Sequence, residues 1–76
     1  MNIAYEKIVG ERIRAERQRK GMTQEQLAAQ LQTLGCDVTR GTLAKMEVGL
    51  RHIYPDEIRL IKDILNIPFE SLLPEL

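Results

Sequence analysis

A guanidinium, a hydroxyl and an ammonium group fall within six residues of one another, at Arg40, Thr42 and Lys45. Their chemistry is that of recognition. An arginine holds two neighbouring acceptors in a fork, as guanine O6 and N7 offer, and a threonine touches a thymine methyl or a phosphate oxygen. Thr39 and Gly41 complete the group. A glycine costs a helix about 1 kcal/mol against alanine. That cost is tolerable where a backbone must come close to a ligand, and equally near a helix end, where the penalty shrinks. Gln24 carries an amide able to donate to a phosphate at a helix start, but it also reads as a surface glutamine suited to helix. Arg51 and His52 follow, in a stretch from which a loop can clamp phosphate. Each of these residues alone is an ordinary exposed side chain. Gathered on the second of two short helices, they point to contact with duplex DNA.

Catalysis and metal binding find little to work with. His52 is the single histidine and Cys36 the single cysteine. No HExxH pattern, glycine-rich phosphate loop or cysteine ligand pair occurs. An enzyme is not expected, and no cofactor is called for. Cys36, between Leu34 and Val38, reads as a small buried hydrophobe before it reads as a redox sensor. Arg12, Arg14, Arg17, Arg19 and Lys20 alternate with Glu11 and Glu16, the pattern of a solvated, salt-bridged helix face.

The elements that must hold these residues announce themselves by their ends. Met22-Thr23-Gln24-Glu25-Gln26-Leu27 and Val38-Thr39-Arg40-Gly41-Thr42-Leu43 are built alike, sixteen residues apart. In each, a threonine can accept hydrogen bonds from the orphan N–H groups of a helix start. In each, the preceding apolar residue can staple onto the one five positions later. Two capped helices this close must pack together, and the second then displays Arg40, Gly41, Thr42 and Lys45 near its start, as a helix-turn-helix does. The unit spans about residues 23–48.

Around it the periodicity is helical throughout. A first helix is expected over about residues 3–20, with Ile8, Val9, Ile13 and Arg17 near one face and Gly21 as its stop. The second covers about 23–33, with Leu27, Ala28, Leu31 and Leu34 at helical spacing and Gly35 as a left-handed end. The third covers about 39–48, burying Leu43 and Met46 and ending at Gly49. After a loop over 50–54, Pro55 suits the first position of a fourth helix. Asp56 and Glu57 lie in its first turn, where the helix dipole favours acids, and Ile58, Ile61, Ile64 and Leu65 form its stripe. Asn66 breaks it, and Pro68 opens a short fifth helical turn carrying Phe69, Leu72 and Leu73. The expected architecture is all-α, five short helices around one core.

Seventy-six residues make one small domain, 1–76, near the lower limit for a single unaided core. A lone cysteine precludes an internal disulfide and suits a reducing cytoplasm. No apolar run is long enough to span a membrane, and the opening Asn2-Ile3-Ala4-Tyr5-Glu6-Lys7 is too polar for a signal peptide. The net charge is zero, but residues 1–53 carry +3 and residues 54–76 carry −3. A basic face with an acidic back orients a partner as well as attracting it.

Residues 8–73 resemble the helix-turn-helix family of Cro and the lambda-type repressors, the xenobiotic-response-element-like regulators of bacteria and phages. The likeness rests on IVGERIRAER at 8–17, GMTQEQLA at 21–28, TRGTLAKMEVG at 39–49 and LNIPFESLL at 65–73. It implies a lambda-repressor-like five-helix DNA-binding domain, usually a dimer on a partly symmetric operator. On the matching positions it implies phosphate contact from Gln24 and base contacts from Thr39, Arg40, Gly41, Thr42 and Lys45. Two departures carry expectations of their own. The segment 32–37 is longer than the family's tight turn, so the second helix should run a turn further, to Gly35. Glu16 stands where the family commonly has an apolar residue, which points to a shifted packing face on the first helix.

The combined reading is a cytoplasmic, nucleoid-associated transcriptional regulator, a repressor that binds double-stranded DNA as a homodimer. Its rival is a protein-binding module of the same fold, an antitoxin or anti-regulator, which the near-zero charge favours. The apolar tail of Phe69, Leu72, Leu73 and Leu76 serves either a dimer interface or packing within the chain.

Overall fold

The computed structural model describes residues 3–75; Asn2 of the opening segment and Leu76 of the apolar tail lie outside them. Four α-helices follow one another: α1 Ile3–Arg19, α2 Gln24–Thr33, α3 Arg40–Glu47 and α4 Pro55–Leu65. The expected fifth helix is instead a single 3-10 turn, Phe69–Ser71. Pro68 and Pro74 bracket this stretch, and the residue before a proline is pushed out of the α region, so no α-helical ladder has room to form. What forms is one turn closed by Ser71 N–H to Pro68 O (3.1 Å) and Leu72 N–H to Phe69 O (2.9 Å).

The helix ends are where the sequence placed them, and one mechanism explains all four stops among the described residues. A left-handed residue, Gly21, Gly35, Gly49 or Asn66, lets the next N–H reach back across the last turn. Met22 donates to Arg17 O, Cys36 to Leu31 O, Leu50 to Lys45 O and Ile67 to Lys62 O, at 2.9–3.1 Å. The extra residues before Gly35 therefore extend α2 rather than forming a floppy connection.

Each helix buries one stripe. Val9 and Ile13 of α1, Leu27 and Leu31 of α2, Leu43 and Met46 of α3, and Ile61 and Leu65 of α4 form the core. Val38, Ile53, Ile67 and Leu72 close it from the connections. Three apolar residues from the expected stripes are exposed: Ile8 (37%), Leu34 (55%) and Phe69 (38%). Leu34 caps α2 and so has left the helical face. Phe69 sits under the Lys62 ammonium, 4.9 Å from the ring centre. Leu72 is fully buried and Leu73 packs against the core, so these two residues of the tail are used within the chain.

Gly10 decides how α1 meets α3. It is buried, and a Cβ there would lie 2.1 Å from the carbonyl oxygen of Met46. Only a residue without a side chain lets the two backbones approach this closely.

Candidate nucleic-acid interface

The outer edge of α3 is set from its inner one. Leu43 and Met46 are fully buried, which leaves Arg40, Gly41 and Lys45 exposed with Thr42 half-buried among them. Thr39 is the N-cap: its Oγ1 accepts from the Thr42 N–H (3.2 Å) and shares a hydrogen bond with Thr42 Oγ1 (3.1 Å). Both hydroxyls are thus held by the helix start. Gly41 has open space around it; a Cβ would meet only Thr39 Oγ1, at 3.9 Å. Nothing inside the chain requires a glycine there.

α2 begins beside it. Thr23 caps the helix through the Gln26 N–H (3.1 Å), while the Gln26 side chain accepts from the Thr23 N–H (2.8 Å). This reciprocal box satisfies two orphan donors; Gln26 as its second half went unread in the sequence. Gln24, one residue into α2, is half-buried and donates from Nε2 to Glu47 Oε1 at 3.0 Å. An amide nitrogen has two N–H groups, so this bond orients the side chain and leaves the other donor for a ligand.

Glu47 is the hub behind the surface. Its carboxylate takes Arg17 Nε on Oε2 (2.8 Å) and Arg17 Nη2 on Oε1 (2.9 Å), a bidentate pair buried at both ends. Arg17 Nη1 donates in addition to Met22 O (2.9 Å), tying the end of α1 to the entry of α2. The Glu47 carboxylate holds the Arg17 guanidinium still more firmly protonated than usual. Arg17 therefore does not belong to a solvated face. Its spacing puts it near the face of Val9 and Ile13, but no local signal marks Glu47, thirty residues away, as its partner. Glu16, by contrast, turns outward and pairs with Arg19 at 2.7 Å.

Arg40 and Gln24 line one shallow groove, together with Arg17, Met22 and Glu25. Arg51 lies elsewhere, in a second depression with Ile3, Glu6, Leu50 and His52. Its guanidinium donates to Glu57 Oε1 (2.5 Å) and His52 O (2.7 Å) and lies over the Tyr54 ring, 5.4 Å from its centre. Glu57 raises its pKa further above the usual arginine range. Where the sequence suggested a free phosphate clamp, the structure shows a cation already countered. His52 pairs through Nδ1 with Glu6, whose Oε1 also accepts the Ile53 N–H at 3.0 Å. The histidine thus pins the loop to α1. Cys36 is half-buried, and burial first, then the nearby Glu57 and Asp56 carboxylates, push its thiol pKa up. Among the described residues, no group of three or more His, Cys, Asp or Glu side chains is placed to hold a metal ion.

A capped helix presenting Arg40, Gly41, Thr42 and Lys45, packed on a capped helix presenting Gln24, is the arrangement of a helix-turn-helix. Residues 13–72 match the model of the helix-turn-helix family. The chain belongs to that family, in its Cro and repressor type. The helix-turn-helix match begins at Ile13 within α1 and ends at Leu72, so α2, α3 and the Arg17–Glu47 pair all fall inside it. The crystal structure of the DNA-binding domain of BldD shares the fold: the TM-score is 0.80 at 22% identity, covering 97% of this chain and 100% of that one. No curated protein matches the chain. Helix-turn-helix proteins of this type are DNA-binding regulators, typically non-enzymatic, and membership supports that class here. No described helix is long and apolar enough to cross a membrane.

Proposed function

We propose that this chain is a sequence-specific DNA-binding transcriptional regulator, acting as a repressor, which inserts residues 39–48 into the major groove. The observation that carries it is the exposed edge of α3, with Arg40, Gly41 and Lys45 beside a Gln24 amide braced from behind by Glu47. Arg40 reads guanine, Thr42 contacts a thymine methyl or phosphate, and Lys45 reaches a base or phosphate one turn on. Thr39 and Gly41 let the helix start lie close to the duplex. Gln24 binds phosphate with the N-terminus of α2 behind it. Arg51 is a secondary phosphate contact, since it must share its charge with Glu57. One short helix reads only a few base pairs, so the protein acts as a homodimer on a partly symmetric site, with residues 1–76 as one domain and 23–48 as its reading unit. Its place of action is the cytoplasm, on the nucleoid.

The near-zero charge supports a second reading, a protein-binding module such as an antitoxin or anti-regulator, because non-specific duplex affinity comes from phosphate neutralisation. Selection from a random duplex library separates the two, followed by fluorescence anisotropy on the winning site at two salt concentrations. A partly palindromic site whose affinity falls steeply with salt is expected. A folded protein that enriches no sequence would overturn the DNA reading and turn the search to a protein partner.

A further inference from the structure

Glu25 stands in the first turn of α2, and its Oε1 lies 3.7 Å from the Nε of Arg40 in the first turn of α3. Both side chains are largely exposed, 76% and 65% respectively. The separation is that of an ion pair and too long for a hydrogen bond. A contact of this kind contributes little to stability, so its effect must be sought at the surface it shapes. Residues 23–48 carry Arg40 and Lys45 against Glu25, Asp37 and Glu47, a net charge of −1. Glu47 is taken up by Arg17, and Glu25 faces Arg40, the other arginine that lines the groove.

We infer that Glu25 is a positioning residue that sets the specificity of Arg40. The inference rests on the DNA-binding reading above. A carboxylate at Nε leaves Nη1 and Nη2 as a free end-on fork, the donor pair that guanine O6 and N7 accept. The same carboxylate sits where the start of α2 meets the sugar–phosphate chain, and it repels that chain on every sequence. A phosphate carries a full negative charge and guanine only dipolar acceptors. Glu25 therefore penalises the capture of Arg40 by any phosphate more than its pairing with the correct base. Affinity is surrendered everywhere, and discrimination rises.

The test measures four proteins, wild type, Glu25→Gln, Arg40→Ala and the double variant, on the wild-type-selected duplex and on a random-sequence duplex. Each is titrated by anisotropy across a salt series, and thermal melting verifies the fold. Glu25→Gln should tighten binding to the random duplex about threefold to tenfold and steepen its salt slope by about one. Affinity for the selected duplex should rise by clearly less, so the specificity ratio drops by about twofold or more. In the Arg40→Ala background the same substitution should leave the ratio unchanged. Equal tightening on both duplexes, or an undiminished change without Arg40, would show a general repulsive charge and overturn the inference while leaving the DNA reading intact. A wild type that prefers no duplex removes both readings together.

Discussion

Arg40 and Gly41 are neighbours with opposite signatures. Arg40→Ala removes an exposed side chain whose one ion pair is also exposed, so stability should be untouched. Specific affinity should fall by about 1–3 kcal/mol through loss of the guanine contact. Anisotropy on the selected site against random duplex measures this, and an unchanged ratio would remove Arg40 from base readout. Gly41→Ala should do the reverse for the fold. The added Cβ meets only Thr39 Oγ1 at 3.9 Å, and alanine gains up to about 1 kcal/mol of helix propensity. A higher melting midpoint joined to weaker duplex binding is expected. If affinity survives, the duplex does not come close to this backbone.

At the scale of elements, the reading surface depends on how α1 carries α3. Met46 of α3 is fully buried in the core, and Met46→Ala should lower stability by about 2–5 kcal/mol through the cavity it leaves. Denaturant unfolding measures that, and a small effect would place Met46 outside the core. The Arg17–Glu47 pair poses a sharper question. Glu47→Ala strands a buried guanidinium and should cost about 3–5 kcal/mol. It also releases Gln24, whose amide loses its internal acceptor. An apolar pair, Arg17→Met with Glu47→Leu, should recover most of the stability but leave Gln24 unbraced. Duplex affinity that stays low in this refolded double variant would show that the pair orients the surface as well as holding the fold.

At the scale of the molecule, α1 is tied to the loop after α3 through Glu6. The Ile53 N–H holds the Glu6 carboxylate below its ordinary value of 4.5, burial opposes this, and His52 adds to it. A lowered carboxylate pKa stabilises the folded state fully above the unfolded value and ceases to do so as pH falls through the folded one. Melting midpoints should therefore hold near pH 6 and decline below about pH 4.5. In Glu6→Gln the decline should be shallower, with the two proteins differing most at the upper end. Parallel acid limbs would mean that Glu6 titrates as a free carboxylate.

What residues 3–75 owe to sequence alone is whatever acts within about one helical turn. Thr23 and Thr39 cap because a hydroxyl reaches an N–H three residues on. Gly21, Gly35 and Gly49 stop helices because a left-handed residue is cheap without a Cβ. Leu27, Leu31, Leu43 and Met46 lie inside because the spacing puts them on one stripe. Spans, stops and the outward edge of α3 were legible for that reason, and so was the family. Tertiary structure decided whatever depends on residues far apart in the chain. Arg17 became a buried ion because Glu47 arrives from another helix, and Arg51 lost its freedom because Glu57 faces it across the loop. Gly10 was read as one residue of a long helix until the Met46 carbonyl closed on it. Glu25 acquired its meaning only from Arg40, fifteen residues later and 3.7 Å away. Backbone hydrogen bonds and helical stripes are periodic and leave a pattern in the residues that make them. A pairing between helices is chosen by the packing of the whole core, and no short window of sequence contains it.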